Sequence, residues 1–312
     1  METPQTKRVS SYAAGPPWVF KGRALYQLHL VKAEIARKII PKELKLVQAF
    51  GYTLGGIFLA HYDDSPAGMF DELVVIAGTV WNPPTSCAWA ARVLVNSKDA
   101  CNHGRKEIGL PSHLALFSQS AQIVDDQQHI KKNLFSKLLP KWAWQNNKCP
   151  KLREKLEMEI SEEKDSLRKP FCHINTMGDV IEPKPQRTWR TPSIRMSLPS
   201  FSGCTEHQPQ LLNYSCDVEC RIRIVQPSKV LASDYQYCSH VYQSSSDATS
   251  NYKQITASRD TTENDAQSLV VSVLISKPIL SLVFEHMKVH VKAPTLVKKK
   301  EQVKRERTYG TS

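Results

Sequence analysis

The chain has 312 residues, 41% of them hydrophobic, enough for one large domain or two small ones with a sizeable core. No apolar run approaches the roughly 18 residues of a spanning helix, so no transmembrane segment is expected. Net charge is +12, yet residues 16–125 carry eleven Lys/Arg against nine Asp/Glu, whereas 298–307 carry six basic residues against two acidic. That tail has no interleaved aromatics and the chain has no nucleic-acid motif, so nucleic acid is excluded as a partner. The tail reads as a solvated, disordered end, with weak contact to an anionic membrane surface as its alternative.

Residues 23–31 alternate as a strand, with Leu25, Gln27, His29 and Val31 on one face and Tyr26, Leu28 and Leu30 on the other. A short helix follows, carrying Ile35, Ile39 and Ile40 at helical spacing and ending at Pro41. Residues 52–62 form a strand interrupted by Gly55-Gly56, the mark of a bulge or a close backbone approach. Residues 72–81 are almost continuously apolar, hence a strand buried on both faces. Asn82-Pro83-Pro84 turns the chain into a strand over 86–95, and Ser97 caps a helix running to about His103.

Residues 125–169 read as a charged excursion, helix-prone over 152–161. Strands resume at 171–175, 194–198 and 214–225, and the last two are placed at 269–275 and 280–291. Between them, 232–267 is a polar stretch too poor in aliphatics to order itself, and reads as an insertion. The domain therefore spans 16–295, with a flexible N-terminus over 1–15 and a basic tail over 296–312. Helices do not alternate regularly with strands, so the expectation is an α+β, mainly antiparallel, barrel-like domain with a few peripheral helices.

Eight cysteines are present, without a CxxC pair or any Cys/His block at zinc spacing. They read as buried thiols of a reducing compartment, with Cys216 and Cys220 sharing one strand face. Asp63-Asp64 lacks a third ligand and reads as a turn, so no metal is expected.

Gly22-Arg23, Tyr62-Asp63-Asp64-Ser65, Phe70-Asp71-Glu72 and Gly104-Arg105-x-Glu107-x-Gly109-x-Pro111 occur in an order and spacing that resembles the acetoacetate decarboxylases. Within that superfamily, longer runs resemble the plant neoxanthin-deficient proteins. These are Pro17-Trp18-Val19-Phe20-Lys21-Gly22, Gly51-Tyr52-Thr53-Leu54-Gly55-Gly56, the stretch 81–96 and Ser197-Leu198-Pro199-Ser200-Phe201-Ser202-Gly203. The resemblance implies a closed β-barrel with a central cavity and no cofactor. It also implies a role in accumulation of neoxanthin, a carotenoid precursor of abscisic acid.

The decarboxylase reaction needs a lysine whose amine is neutral enough to attack a ketone. The two family lysine positions hold Ser112 and His113, and a serine cannot form an imine. A family glutamate falls on Ile57, while Arg23 and Glu72 match the family's substrate arginine and second cavity glutamate. Lys106, at the helix end, reads as solvent-facing and no substitute. Ser112-His113 is not a nucleophile pair, because neighbours on an extended chain face opposite ways.

The cavity candidates are thus Arg23, Ile57, Glu72, Trp81, Arg105, Glu107, Ser112 and His113. Arg23 either pairs with Glu72 in a buried ion pair or forks onto an oxygen-bearing ligand. Arg105 and Glu107 also read as closing the helix end, and Trp81, Trp89 and Phe58 as apolar lining.

The expected function is a non-catalytic barrel that binds an apolar oxygenated ligand, such as a xanthophyll, or a carotenoid-pathway enzyme. It is not expected to be the direct violaxanthin-to-neoxanthin enzyme. The alternatives are a lyase or hydrolase on a small keto acid without a Schiff base, and a scaffold with a collapsed cavity. Self-association is left open. With no visible transit peptide the expected compartment is the cytoplasm, and the chloroplast is the alternative.

Overall fold

The computed structural model describes residues 12, 14–125, 152–164, 167–179, 192–232 and 260–297. The strands are β1 (Trp18–Lys32), β2 (Tyr52–Asp64), β3 (Phe70–Asn82), β4 (Thr85–Val95), β5 (Ser112–Asp125) and β6 (Leu152–Lys164), followed by β7 (Leu167–Asp179), β8 (Ile194–Gly203), β9 (Leu211–Val225), β10 (Lys229–Ala232), β11 (Lys277–Val291) and β12 (Thr295–Leu296). The helices are α1 (Ala33–Ile39), α2 (Lys98–His103) and α3 (Asp260–Leu274), with a π-helical turn over Gly104–Ile108.

Strands β4-β3-β2-β1-β11-β9 lie side by side, and β8 bridges from β9 back to β4. The β8–β4 pair is parallel at Ala88↔Ser200 and Trp89↔Phe201, and it closes a seven-stranded mixed barrel. Where β4 diverges, β5 pairs with it in parallel and continues into a second antiparallel sheet, β5-β6-β7-β10.

Both faces of the barrel wall are apolar, for different reasons. Outward side chains Val31, Ile57, Leu73, Val75 and Ala77 are buried under Val270, Val273 and Leu274 of α3 and against Ile160, Phe171 and Ile174 of the second sheet. Burying one such aliphatic fully contributes about 1.5–3 kcal/mol. Inward side chains Ala24, Ala60, Tyr62, Phe70, Val218 and Phe284 form a separate inner cluster.

The outer layer is also pinned by hydrogen bonds. Gln27, fully buried, accepts from the Ser228 amide at 2.7 Å and the Ser281 hydroxyl at 2.7 Å, and donates to the Ser228 carbonyl at 3.1 Å. Its amide nitrogen also lies 2.9 Å from His29 Nε2. Because that amide donates, His29 Nε2 accepts and Nδ1–H faces the Val273 carbonyl at 3.4 Å. Burial holds the His29 pKa below its usual value, consistent with a neutral ring.

Gly55-Gly56 marks a close backbone approach. Gly56 has φ 141°, and a Cβ there would stand 2.0 Å from the Gln27 carbonyl oxygen. Ser97 caps α2 by accepting from the Ala100 amide at 3.3 Å. Ser97→Ala is expected to cost about 1 kcal/mol, read as a shift of the urea midpoint without a change in slope.

Three expectations are corrected. Residues 152–161 are strand β6, because pairing with β5 and β7 on both sides overrides their helix propensity. Residues 269–274 belong to α3 rather than to a strand, with Val270, Val273 and Leu274 buried at helical spacing. The polar insertion therefore ends at α3, and its stretch 233–259 lies outside the described residues, as do 126–151, 1–11 and 298–312.

Candidate functional site: an aromatic cavity in the barrel

Inside the barrel lies a cavity of about 430 Å³. Its wall alternates along β2, the first half of β3 and β9, as the two-residue period requires: Phe58 and Tyr62 on β2, Glu72 and Val74 on β3, Tyr214, Cys216 and Val218 on β9. At one end Tyr12, Trp18 and His103 pack together. The Tyr12 ring stacks on His103 with centroids 3.7 Å apart, and Trp18 meets His103 edge-on at 4.4 Å. Burial lowers the His103 pKa to about 4, so the imidazole is neutral near physiological pH.

Glu72 is the acidic member of the lining. Burial raises its pKa to about 7, although the hydrogen bond from Tyr62 pulls the other way. Tyr62 Oη donates to Glu72 Oε2 at 2.9 Å. Cys216 is pushed up to about 12, by burial first and then by the Glu72 and Asp217 charges, so it is a thiol and no nucleophile. Burial likewise raises the phenols of Tyr62 and Tyr214, which stay protonated.

Among the described residues, none that lines the cavity is lysine or arginine. The described lining therefore offers no amine for an imine. It also offers no cation for a substrate carboxylate, which would face Glu72 unpaired. What it does offer is a mostly apolar, aromatic wall with a few hydrogen-bonding groups, the composition of a site for an uncharged ligand.

Against known proteins, no family model matches the chain. The protein named NEOXANTHIN-DEFICIENT 1 of Oryza sativa subsp. japonica is 53% identical over 300 residues, covering 94% of each chain. Its namesake in Solanum lycopersicum is 49% identical over 298 residues, covering 95% of this chain and 97% of the relative. That of Arabidopsis thaliana is 48% identical over 294 residues, covering 94% and 98%. The chain belongs to the NEOXANTHIN-DEFICIENT 1 family.

Among solved structures, the chain is similar to the enduracididine biosynthesis enzyme MppR complexed with the condensation product of pyruvate and imidazole 4-carboxaldehyde. The TM-score is 0.49 at 13% identity, covering 91% of this chain and 90% of that one. It is also similar to the acetoacetate decarboxylase of Legionella pneumophila, with TM-score 0.44 at 11% identity, covering 95% and 93%.

In this member of the NEOXANTHIN-DEFICIENT 1 family, two of the eight sequence candidates line the cavity: Glu72 and Ser112. Ser112 is buried, and a Cβ added to Gly104 would come within 2.5 Å of its hydroxyl. Arg23 does not face inward. It sits at the register shift between Gly22 and Ala24 and is exposed, so it neither pairs with Glu72 nor lines the cavity. Ile57 has the opposite parity to Phe58 and is fully buried in the outer core, to which the buried Trp89 also belongs. Trp81 stands half-exposed at the barrel rim.

Arg105 Nε donates to the Ser112 carbonyl at 2.6 Å, which ties the π-turn to the start of β5 without entering the cavity. Glu107, on the same turn, is half-buried and is not a lining residue. His113 turns away, as its neighbour Ser112 requires, and its Nδ1 lies 3.1 Å from Glu162. Lys106 is exposed. The residues that sequence reasoning passed over are Tyr62, Tyr214, Cys216, His103 and Tyr12. The alternation of Tyr214, Cys216 and Val218 was the available signal.

Proposed function

We propose that the protein supports neoxanthin accumulation by holding an apolar, oxygenated ligand in its barrel, without covalent chemistry on it. The name borne by its relatives supplies the pathway. One observation carries the binding reading: an aromatic cavity whose described lining has a carboxyl that titrates near neutrality and neither lysine nor arginine. The alternative of a keto-acid lyase or hydrolase is disfavoured by the same lining. A keto acid brings a carboxylate that this wall leaves without a counter-charge.

Volume refines the ligand. Ligand sites span roughly 300–1,000 Å³, and about 430 Å³ suits one substituted ring rather than a whole carotenoid. The enclosed part is therefore a xanthophyll end ring, whose hydroxyl or epoxide oxygen meets the Glu72–Tyr62 pair.

The test incubates purified protein with violaxanthin or neoxanthin, and in parallel with acetoacetate and borohydride. Carotenoid retention through gel filtration, with no mass adduct on any lysine, is expected. A borohydride-trapped adduct, or turnover of the xanthophyll by the protein alone, would overturn the reading. So would failure to retain either carotenoid.

A further inference from the structure

The barrel end at which β2 begins and β3 finishes carries a set of apolar side chains that the described structure does not cover. Phe50 is fully exposed, and Tyr52, Leu54 and Trp81 are each more than two-fifths exposed. They are neighbours in the fold. Tyr52 and Ala49 exchange backbone hydrogen bonds around the two-residue loop Phe50-Gly51, and Leu54 lies two residues along β2. The Leu54 carbonyl accepts from the Thr79 hydroxyl at 2.8 Å, and Thr79 precedes Trp81 by two.

Phe50 is the telling residue. Both central residues of its loop have positive φ, 51° at Phe50 and 80° at Gly51. Such hairpin loops favour Asn-Gly, because a bulky side chain resists positive φ. Here an aromatic residue occupies the strained position and packs against nothing in the described fold. Local stability does not account for it.

Basic side chains accompany the apolar ones row by row. Lys32 pairs in register with Tyr52, and Lys277 and Leu54 both pair with Leu30. The Lys45 carbonyl accepts from the Trp81 amide at 2.8 Å. All three lysines are exposed. Among the described residues the acids nearby are Glu34, 3.8 Å from Lys32 in a loose exposed pair, and the exposed Glu43. Aromatic rings with lysines beside them are the composition of a membrane–water interface, where the rings enter the headgroup layer and the ammonium groups meet anionic lipid. No helix of the described residues is long and apolar enough to cross a membrane. The cavity reaches this end as well, since Ser86, the ladder partner of Trp81, and Thr79 both line it.

We infer that this rim, formed by Phe50, Tyr52, Leu54 and Trp81 with Lys32, Lys45 and Lys277, docks the barrel onto an anionic bilayer surface, with the cavity end that Thr79 and Ser86 line turned toward the lipid. The inference stands whatever the cavity holds. Charge complementarity selects the lipid surface over an uncharged partner, and the strained aromatic at the loop tip supplies the inserting group.

Flotation with vesicles of equimolar phosphatidylcholine and phosphatidylglycerol tests it, against pure phosphatidylcholine, using the full chain. Wild type is expected to float with the anionic vesicles only. The double variant Phe50→Asn/Trp81→Ser is expected to bind at least about tenfold more weakly. Phe50→Asn alone is expected to weaken flotation while holding or raising the thermal midpoint, because asparagine suits the loop. That opposition of signs separates docking from misfolding.

Three results would overturn the inference. One is unchanged flotation of the Phe50→Asn protein. Another is loss of flotation on substituting only Lys298, Lys299 and Lys300 by glutamine with the rim variants unaffected, which would assign lipid contact to the tail. The third is vesicle-independent self-association that the rim variants abolish, which would assign the face to a second copy.

Discussion

Glu162→Ala is expected to destabilise the protein by about 3–5 kcal/mol, the cost of stranding a buried charge. Glu162 reaches from β6 to the barrel wall, where one carboxylate oxygen takes both the Arg92 guanidinium and His113 Nδ1, the latter at 3.1 Å. The Arg92 and Glu162 side chains are 14% and 9% exposed. Arg92 also lies over the Phe171 ring at 5.9 Å, and its Nε has no hydrogen-bond partner in the described structure. Without Glu162, the guanidinium would keep its charge with little to satisfy it. The pair also joins β4 to β6, so the docking of the second sheet on the barrel should loosen first.

The pH dependence follows from the same contacts. Burial alone would raise the Glu162 pKa, but the His113 hydrogen bond and the Arg92 charge outweigh it and hold the carboxyl below its usual 4.5. The stabilisation is therefore present above the unfolded-state value and is lost as pH falls through the lower folded one. Urea unfolding should show a steep acid limb in wild type below about pH 4.5 and a flatter one in Glu162→Ala. Arg92→Met/Glu162→Leu should recover much of the loss, because no charge is then left unpaired. A Glu162→Ala change within about 0.5 kcal/mol of wild type would remove the pair from the stabilising contacts.

Much of the barrel was legible in local pattern. β1, β2, β3, β4, β9 and β11 fall where alternation, apolar runs and turn residues put them, and Ser97 caps α2 as its position before the helix implied. Two elements were assigned the wrong type because tertiary contacts overrode local preference. Helix-forming residues became β6 when β5 and β7 paired with both of its edges, and the valines of α3 became a helical face against the outer core.

The site was harder to read for a different reason. Alternation tells which residues share a face but not which face is inside, and in this wall both faces are apolar. Ile57 and Phe58 are equally suited to a cavity by type. Only closure of β8 on β4, with α3 laid over the outside, decides that Phe58 faces in and Ile57 out. The match to the family's substrate arginine put Arg23 in the cavity, whereas its parity and the adjacent register shift leave it at the surface. Glu72 and Ser112 were found because the family frame named their positions, whereas Tyr214 of β9 lies outside the runs that carry the resemblance.

Glu72→Gln is expected to stabilise the protein in mild alkali and to leave it unchanged in acid. The Glu72 carboxyl ionises at about 7 in the folded protein against 4.5 ordinarily, chiefly because burial penalises its charge. Stability tied to this group is thus complete below the unfolded value and drains away as pH rises through the folded one. At about 1.4 kcal/mol per unit, the deficit near pH 8 is on the order of 3–4 kcal/mol, and glutamine, which cannot ionise, removes it. A Glu72→Gln protein no more stable than wild type near pH 8 would show that the carboxylate is well solvated there.

Ligand retention should follow the same titration. Below the transition the carboxyl is protonated. With Tyr62 Oη donating to Oε2, its own hydroxyl is left to donate to a ligand oxygen. Above the transition that donor is gone and a buried charge faces an apolar ligand. Xanthophyll retention is therefore expected to fall as pH rises through about 7 in wild type. It should be flat with pH in Glu72→Gln, whose amide keeps a donor. In Glu72→Leu it should be weak throughout, with the buried Tyr62 hydroxyl deprived of its acceptor at a cost of about 1–3 kcal/mol. Equal retention by the glutamine and leucine proteins across that range would mean that the ligand oxygen does not meet Glu72.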